Sequence, residues 1–180
     1  MKARKKRNRL LCLTEMNLFR PKQILPIFTD FDAVNYKKQG FDTVFLDIDN
    51  TIAIPDTGTC DERAEKFIKD LRKCGFQVLI FSNNNRKRVR MFLRDIDAEI
   101  WFWAGKPLPF AYWLACLKMK TRPSRTIVMG DQLLTDILGA NLSGCYGIYC
   151  KQLQEQDTPT TARNRKIERM IWKRILHEEV

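Results

Sequence analysis

The chain predicts an α/β fold, a Rossmann-like three-layer α/β/α arrangement around a central, mainly parallel five-stranded sheet. Three observations carry that expectation. Short apolar runs of strand length alternate with helical segments, the pattern of βαβ units with right-handed crossovers. Three of those runs, residues 44–46, 77–81 and 126–129, end in polar clusters: Asp47-Ile-Asp49-Asn50, Ser82-Asn83-Asn84-Asn85 and Gly130-Asp131. Length and composition, 180 residues at 44% hydrophobic, suffice for one buried core and argue against a second independent domain. If the strands are parallel, all three clusters emerge at the carboxyl edge of one sheet, where open α/β sheets bind ligands.

Taken in order, residues 1–17 read as a basic tail, 18–150 as the domain carrying the chemistry, and 151–180 as a linker plus a basic C-terminal helix on or near it. The lead-in holds a short helix near residues 31–34 that stops at Gly40. After the strand at 44–46, residues 55–59 turn and a helix runs from 61 to 73. Its apolar members Ala64, Phe67, Ile68 and Leu71 keep helical spacing, and Gly75 closes it. The strand at 77–81 leads to a helix over 86–94, with Val89, Phe92 and Leu93 inward and Arg86, Arg90 and Arg94 on another face. A short strand near 100–102 precedes Gly105-Lys106-Pro107 and a helix over 108–119, which Pro123 follows. The strand at 126–129, a helix over 133–142 ended by Gly144, and a strand over 145–149 complete the sheet. Residues 152–161 form a polar linker, and 163–177 a terminal amphipathic helix.

The formal charge of +11 points to anionic partners: phosphorylated metabolites, nucleic acid or acidic lipid headgroups. The cationic residues cluster at 2–9, 86–94 and 163–174. The arginine row at 86–94 reads as a solvated helix face. The apolar residues between Leu10 and Phe19 suit either packing across the sheet or contact with an anionic membrane surface. The aromatic run Trp101-Phe102-Trp103 with Phe110, Tyr112 and Trp113 reads as core and pocket wall. The six cysteines show no C-x-x-C pair or zinc spacing, and several sit in apolar runs as small core residues. No secretory leader and no bilayer-length apolar run is present, so the expected location is the cytoplasm, with peripheral membrane contact open. The single histidine, His177, leaves Ser-His-Asp and Cys-His catalysis without a partner. Acid–base work falls to carboxylates or lysine.

Two carboxylates at a strand exit need a cation, a donor or a chemical task, because desolvating them is costly. Phosphoryl transfer supplies such a task. It needs a nucleophile, a proton donor for the leaving oxygen and positive charge on the equatorial oxygens. Asp47 and Asp131 at adjacent strand ends can hold a divalent cation such as Mg²⁺, with Asp47 attacking phosphorus. A turn after Asp47 would bring Asp49 to the same side, where it protonates the leaving alkoxide and later deprotonates water. Lys106 and the Ser82 hydroxyl would grip the phosphoryl oxygens. Each residue also has a structural reading: Asp47 and Asp49 as a cap or ion-pair site, Ser82 as a helix cap, Lys106 as a surface lysine, Asp136 as a helix charge.

The strings Phe45-Leu-Asp-Ile-Asp-Asn-Thr-Ile52, Phe81-Ser-Asn-Asn84, Ala104-Gly-Lys-Pro107 and Gly130-Asp-Gln-Leu-Leu-Thr-Asp136 occur in this order. Together they resemble the haloacid dehalogenase superfamily of phosphatases, most closely its subclass IIIA of YqeG-type and phosphatidylglycerophosphate phosphatase-like proteins. The resemblance spans roughly residues 18–150. It implies Asp47 as nucleophile and Mg²⁺ ligand, and Asp49 as acid/base whose main-chain carbonyl meets the metal. It further implies Asp131 as metal ligand, Ser82, Asn83 and Lys106 around the substrate phosphate, and Thr51 and Asp136 as supporting groups. Response-regulator receivers share the residue types, but their lysine follows the last of these, whereas Lys106 precedes Asp131. Residues 48–81 and 83–105 each have room for little beyond one helix, so no cap domain is expected and the pocket should be open.

The expected function is therefore a Mg²⁺-dependent phosphomonoesterase working through an aspartyl-phosphate. An exposed phosphate on a large substrate or a lipid headgroup, such as phosphatidylglycerophosphate, is the expected target. Two alternatives stay open: an end phosphatase on nucleic acid, and a non-catalytic adaptor whose basic ends bind RNA or a ribosomal partner.

Overall fold

In the computed structural model, which describes residues 18–55, 62–92, 98–154 and 159–176, the strand runs pair side by side and all in one direction. Six strands make one parallel sheet in the order β1-β6-β5-β2-β3-β4. They are β1 (Gln23–Leu25), β2 (Thr43–Leu46), β3 (Gln77–Phe81), β4 (Glu99–Trp101), β5 (Thr126–Gly130) and β6 (Tyr146–Cys150). The central strand β2 pairs with β3 on one side and β5 on the other, Leu46 lying beside Ile80 and Met129. Asp47 and Asp131 thus leave neighbouring strands at the same edge.

The sheet has six strands where five were expected. The additional one, β1, lies parallel to β6 with Gln23 opposite Ile148. It is only three residues long, sits at the sheet edge and is followed by Pro26, so it carries no alternation for a sequence reading to find.

The helices are α1 (Ala33–Lys38), α2 (Glu62–Lys73), α3 (Arg86–Phe92), α4 (Pro109–Lys118), α5 (Leu138–Ser143) and α6 (Pro159–Ile171). Asp32 starts α1 by accepting the Asn35 N–H at 2.9 Å. In α2, Glu62 and Glu65 occupy the first turn and Arg72 and Lys73 the last, complementing the helix dipole. Its residues Ala64, Phe67, Ile68 and Leu71 are buried as their spacing demands.

The alternation of β2 divides the core. Val44 and Leu46 face a cluster with Phe67, Ile68 and Leu71 of α2 and Val89 of α3, while Phe45 faces Tyr112, Ala115 and Cys116 of α4. Each fully buried Leu, Ile or Phe contributes about 1.5–3 kcal/mol by leaving water. These two layers are what hold the strand exits in register.

Other boundaries differ modestly from expectation. The segment at 133–142 opens as a π-helical turn, Leu133–Ile137, before α5 begins. The C-terminal helix starts at Pro159, inside the expected linker, and continues as a π-helical turn to Leu176. Ile171, Trp172 and Leu176 pack on Leu133, Ile137 and Tyr149, with the Tyr149 and Trp172 rings edge to face at 5.2 Å. Among the cysteines, Cys116, Cys145 and Cys150 are buried free thiols; Cys12 and Cys60 lie outside the described residues, as does the expected tail at 1–17. The inward positions proposed for Phe92 and Leu93 also fall outside the described side chains. No described helix is long and apolar enough to cross a membrane. Among the described residues, α2 and loop lie between β2 and β3, and α3, the sheet strand β4 and loop lie between β3 and Lys106, with no cap domain among them.

Candidate active site

The edge is shaped first by a turn. Asp47 still belongs to the ladder, its N–H donating to the Met129 carbonyl at 3.0 Å. Beyond it the chain folds back: the N–H groups of Ile52 and Ala53 both donate to the Ile48 carbonyl at 3.0 Å, and Asn50 adopts a left-handed φ of 61°. Asparagine tolerates that conformation better than most residues. The turn brings Asp49 to the same side as Asp47, and both line an open cleft of about 440 Å³ with Ser82, Asn83, Lys106 and Asp131.

Lys106 is the hub. Its Nζ donates to Asp47 Oδ1 and to Asp136 Oδ1, each at 2.6 Å, with its side chain almost fully buried. The other Asp136 oxygen accepts from the Gln132 N–H at 3.2 Å and the Thr135 hydroxyl at 3.3 Å. Thr51 donates its hydroxyl to Asp131 Oδ1 at 3.0 Å. Asn84 donates to Asp49 Oδ2. Ser82 Oγ accepts the Asn84 N–H at 3.1 Å, a local turn that leaves its O–H free to donate into the cleft. Asn83 lines the cleft, but its amide has another task. It accepts the Lys106 N–H at 2.9 Å and donates to the Lys106 carbonyl at 3.0 Å, fixing the lysine's backbone.

The carboxylates of Asp47, Asp131 and Asp136 each offer an oxygen within 4.8 Å of the others. The structure thus groups Asp136, expected only as a supporting acid, by side chain with Asp47 and Asp131. Asp49's expected contribution to a metal is its main-chain carbonyl, so the two groupings do not compete.

Two further residues escaped the sequence. Arg165 of α6 donates to both the carboxylate and the main-chain carbonyl of Asp131. It also donates to Glu168 at 2.9 Å, and Glu168 accepts the Leu134 N–H at 3.0 Å. In sequence Arg165 is one of several cations in a basic helix, and nothing but the fold distinguishes it from Lys166 or Arg169.

Burial dominates the electrostatics. It pushes the Asp47 carboxyl up to about 7, with Lys106 pulling down and Asp136 and Asp49 pushing up. It pushes Asp131 up to about 8 against the opposing pull of Arg165. Burial alone would depress Lys106, yet Asp136 and Asp47 outweigh it and hold the lysine above its ordinary range. Among the described residues, four aspartates and Glu168 therefore face two side-chain cations, and two buried acids sit in a field that resists their ionisation. A divalent cation fits such a cluster: the donors are hard oxygens, they converge, and an added positive charge would relieve the excess.

Known proteins resemble this chain in sequence and in fold. Residues 10–144 match the family of haloacid dehalogenase-like hydrolases. The chain is 32% identical over 135 residues to the "Probable phosphatase YqeG" of Bacillus subtilis (strain 168), a span of 75% of this chain and 78% of that protein. In fold it resembles an uncharacterized protein from Listeria monocytogenes serotype 4b, with a TM-score of 0.53 at 16% identity over 66% of this chain and 85% of the other. It likewise resembles the cobalt-bound deoxy-D-mannose-octulosonate 8-phosphate phosphatase YrbI from Haemophilus influenzae, with a TM-score of 0.52 at 15% identity over 76% and 90%. The family match covers most of the residues that build the sheet and its edge, and the sequence relative is itself a probable phosphatase: this chain belongs to the haloacid dehalogenase-like hydrolases and is a phosphatase.

Proposed function

We propose that the chain is a Mg²⁺-dependent phosphomonoesterase that forms an aspartyl-phosphate on Asp47. The observation that carries this reading is the convergence of carboxylate oxygens of Asp47, Asp131 and Asp136 within 4.8 Å, with Asp47, Asp131 and Lys106 lining an open cleft and Asp136 buried beside them. Asp47, Asp131, Asp136 and the Asp49 carbonyl are the groups that would hold the cation. When bound, it would neutralise the carboxylates and the incoming phosphate, letting one anion approach another.

The rest of the reaction belongs to the chain. Asp47 attacks phosphorus in line with the leaving oxygen. Asp49, oriented by the Asn84 amide, donates its proton to the departing alkoxide. The same carboxylate then takes a proton from water, whose oxygen attacks the phosphorus of the aspartyl-phosphate and restores Asp47. Lys106, steered by Asp136, and the Ser82 hydroxyl bear on the phosphoryl oxygens as charge builds there. The Asn83 amide holds the Lys106 backbone while doing so.

For substrate we propose an exposed phosphate on a large or lipid-headgroup molecule such as phosphatidylglycerophosphate. The cleft has no cap among the described residues and admits a phosphate that cannot be swallowed whole. A test measures phosphate release from phosphatidylglycerophosphate micelles and from 3′-phosphorylated oligonucleotides, with chelator and with restored Mg²⁺. Release from the lipid alone, lost in chelator and regained with Mg²⁺, is the expected result. Release from the oligonucleotide alone would replace the lipid reading with a nucleic-acid end phosphatase.

A further inference from the structure

Helix α4, PFAYWLACLK, carries one charged residue in its sequence, so it is apolar nearly all round. A helix of that kind ordinarily has neighbours on every side. This one buries only Tyr112, Ala115 and Cys116 against the sheet. Its outer face shows Phe110, Trp113, Leu114 and Leu117 to solvent, Leu117 at 74% exposure. The patch continues to the mouth of the cleft through Leu108 and Trp103, the latter 69% exposed and lining the cleft itself. Trp103 adopts a left-handed φ of 50°, unusual for a bulky residue, and its N–H donates to the Asn84 carbonyl at 3.1 Å. The expectation that these aromatics were core and pocket wall therefore holds for Tyr112, for Trp101 and Phe102 packed on the core and for Trp103 on the cleft wall, but fails for Phe110 and Trp113.

Cationic residues border the patch. Lys118, Lys120 and Arg122 are exposed at the far end of α4. At the mouth, Arg86 stacks over the Phe102 ring at 5.8 Å, which sets the start of basic α3 beside the same loop. Charge decides between possible occupants. Self-association through this face would bring together two chains of +11, each with cations rimming the contact. An anionic bilayer attracts the same rim and accepts Trp, Phe and Leu at its headgroup boundary.

We propose that the outer face of α4, with Leu108 and Trp103, is a docking surface that seats the mouth of the cleft on an anionic lipid bilayer. It lies on the membrane rather than across it, since no described helix can span one. The inference rests on the proposed phosphatase reading only for what the seated cleft would meet, a phosphate at the headgroup level.

Flotation of the full chain with phosphatidylglycerol-containing vesicles and with pure phosphatidylcholine vesicles tests it, alongside the double variant Leu114→Glu/Leu117→Glu. Both leucines point away from the core and from the cleft, and a thermal melt checks that the variant stays folded. The expected result is binding to the anionic vesicles, weaker binding to the neutral ones, and a roughly tenfold or greater loss in the variant as two apolar contacts vanish. Hydrolysis of a soluble aryl phosphate should be unchanged by the substitutions. A wild-type chain that fails to float, or a variant that floats equally well because the basic ends suffice, overturns the proposal. So does sedimentation velocity showing a wild-type dimer that the variant dissolves, which would make a second copy the occupant. If neither protein hydrolyses the aryl phosphate while flotation follows expectation, the phosphatase reading falls and the docking surface stands.

Discussion

Asp47 and Thr51 lie four residues apart and have different tasks in this account, so their substitution should separate chemistry from support. Asp47→Asn keeps the shape but removes the nucleophile, and hydrolysis should drop by at least about a thousandfold while the fold is retained. A variant that turns over an aryl phosphate at the native rate contradicts that assignment. Thr51→Val removes the hydroxyl that donates to buried Asp131. Leaving that oxygen short of a partner should cost about 1–3 kcal/mol of stability, read in urea unfolding. Gly130 offers a steric counterpart: a Cβ there would collide with the Asp136 side chain. Gly130→Ala should therefore disturb the Lys106–Asp136 pair and lower turnover without touching an acid. At this scale the sequence was informative. Two acids spaced by one residue, a serine, a lysine and a second acid cluster each sat just after an apolar run, and the fold brings them to one cleft. Arg165 and Glu168 were not legible, because their partners lie some thirty residues away across a packing that no local pattern encodes.

Among elements, β2 to β6 were read to within a residue or so, β2, β3 and β5 on runs of three or four consecutive apolar residues, since burial on both faces leaves a continuous signature. The three-residue β1 had none. Helix α4 was found as a helix, but its Phe110 and Trp113 were read as core or pocket wall and are exposed, because composition reports that a surface is apolar and says nothing of whether a neighbour covers it. The α6 contact makes a sharper prediction. Arg165 answers the charge of Asp131 inside the protein, and truncating one partner of a buried pair typically costs about 3–5 kcal/mol. Arg165→Met should therefore lower the melting temperature, and Mg²⁺ should raise it more in the variant than in the parent, because the cation answers the same carboxylate. Equal shifts in both proteins would mean that Arg165 and the cation act on different groups.

For the whole molecule, the charge balance of the cleft should appear as a dependence of stability on pH. Asp47 and Asp131 both have carboxyls raised by burial, to about 7 and about 8 from an ordinary 3.8. A carboxyl raised in the folded state binds its proton more tightly there than in the unfolded chain. Its contribution to stability is then complete below the unfolded value and is lost as pH rises through the folded one. Chelator-treated protein should therefore melt at a falling temperature from about pH 4 to pH 8, and Mg²⁺ should flatten the decline. A melting temperature that rises over that window would mean that ionised carboxylates are already compensated within the chain. The same cluster sets the most direct test of the mechanism. Rapid acid quench during turnover of a phosphorylated substrate, followed by mass spectrometry of the digested chain, should find a phosphoryl group on the peptide containing Asp47. Steady turnover with that peptide never phosphorylated, under conditions that preserve acyl phosphates, would contradict the account.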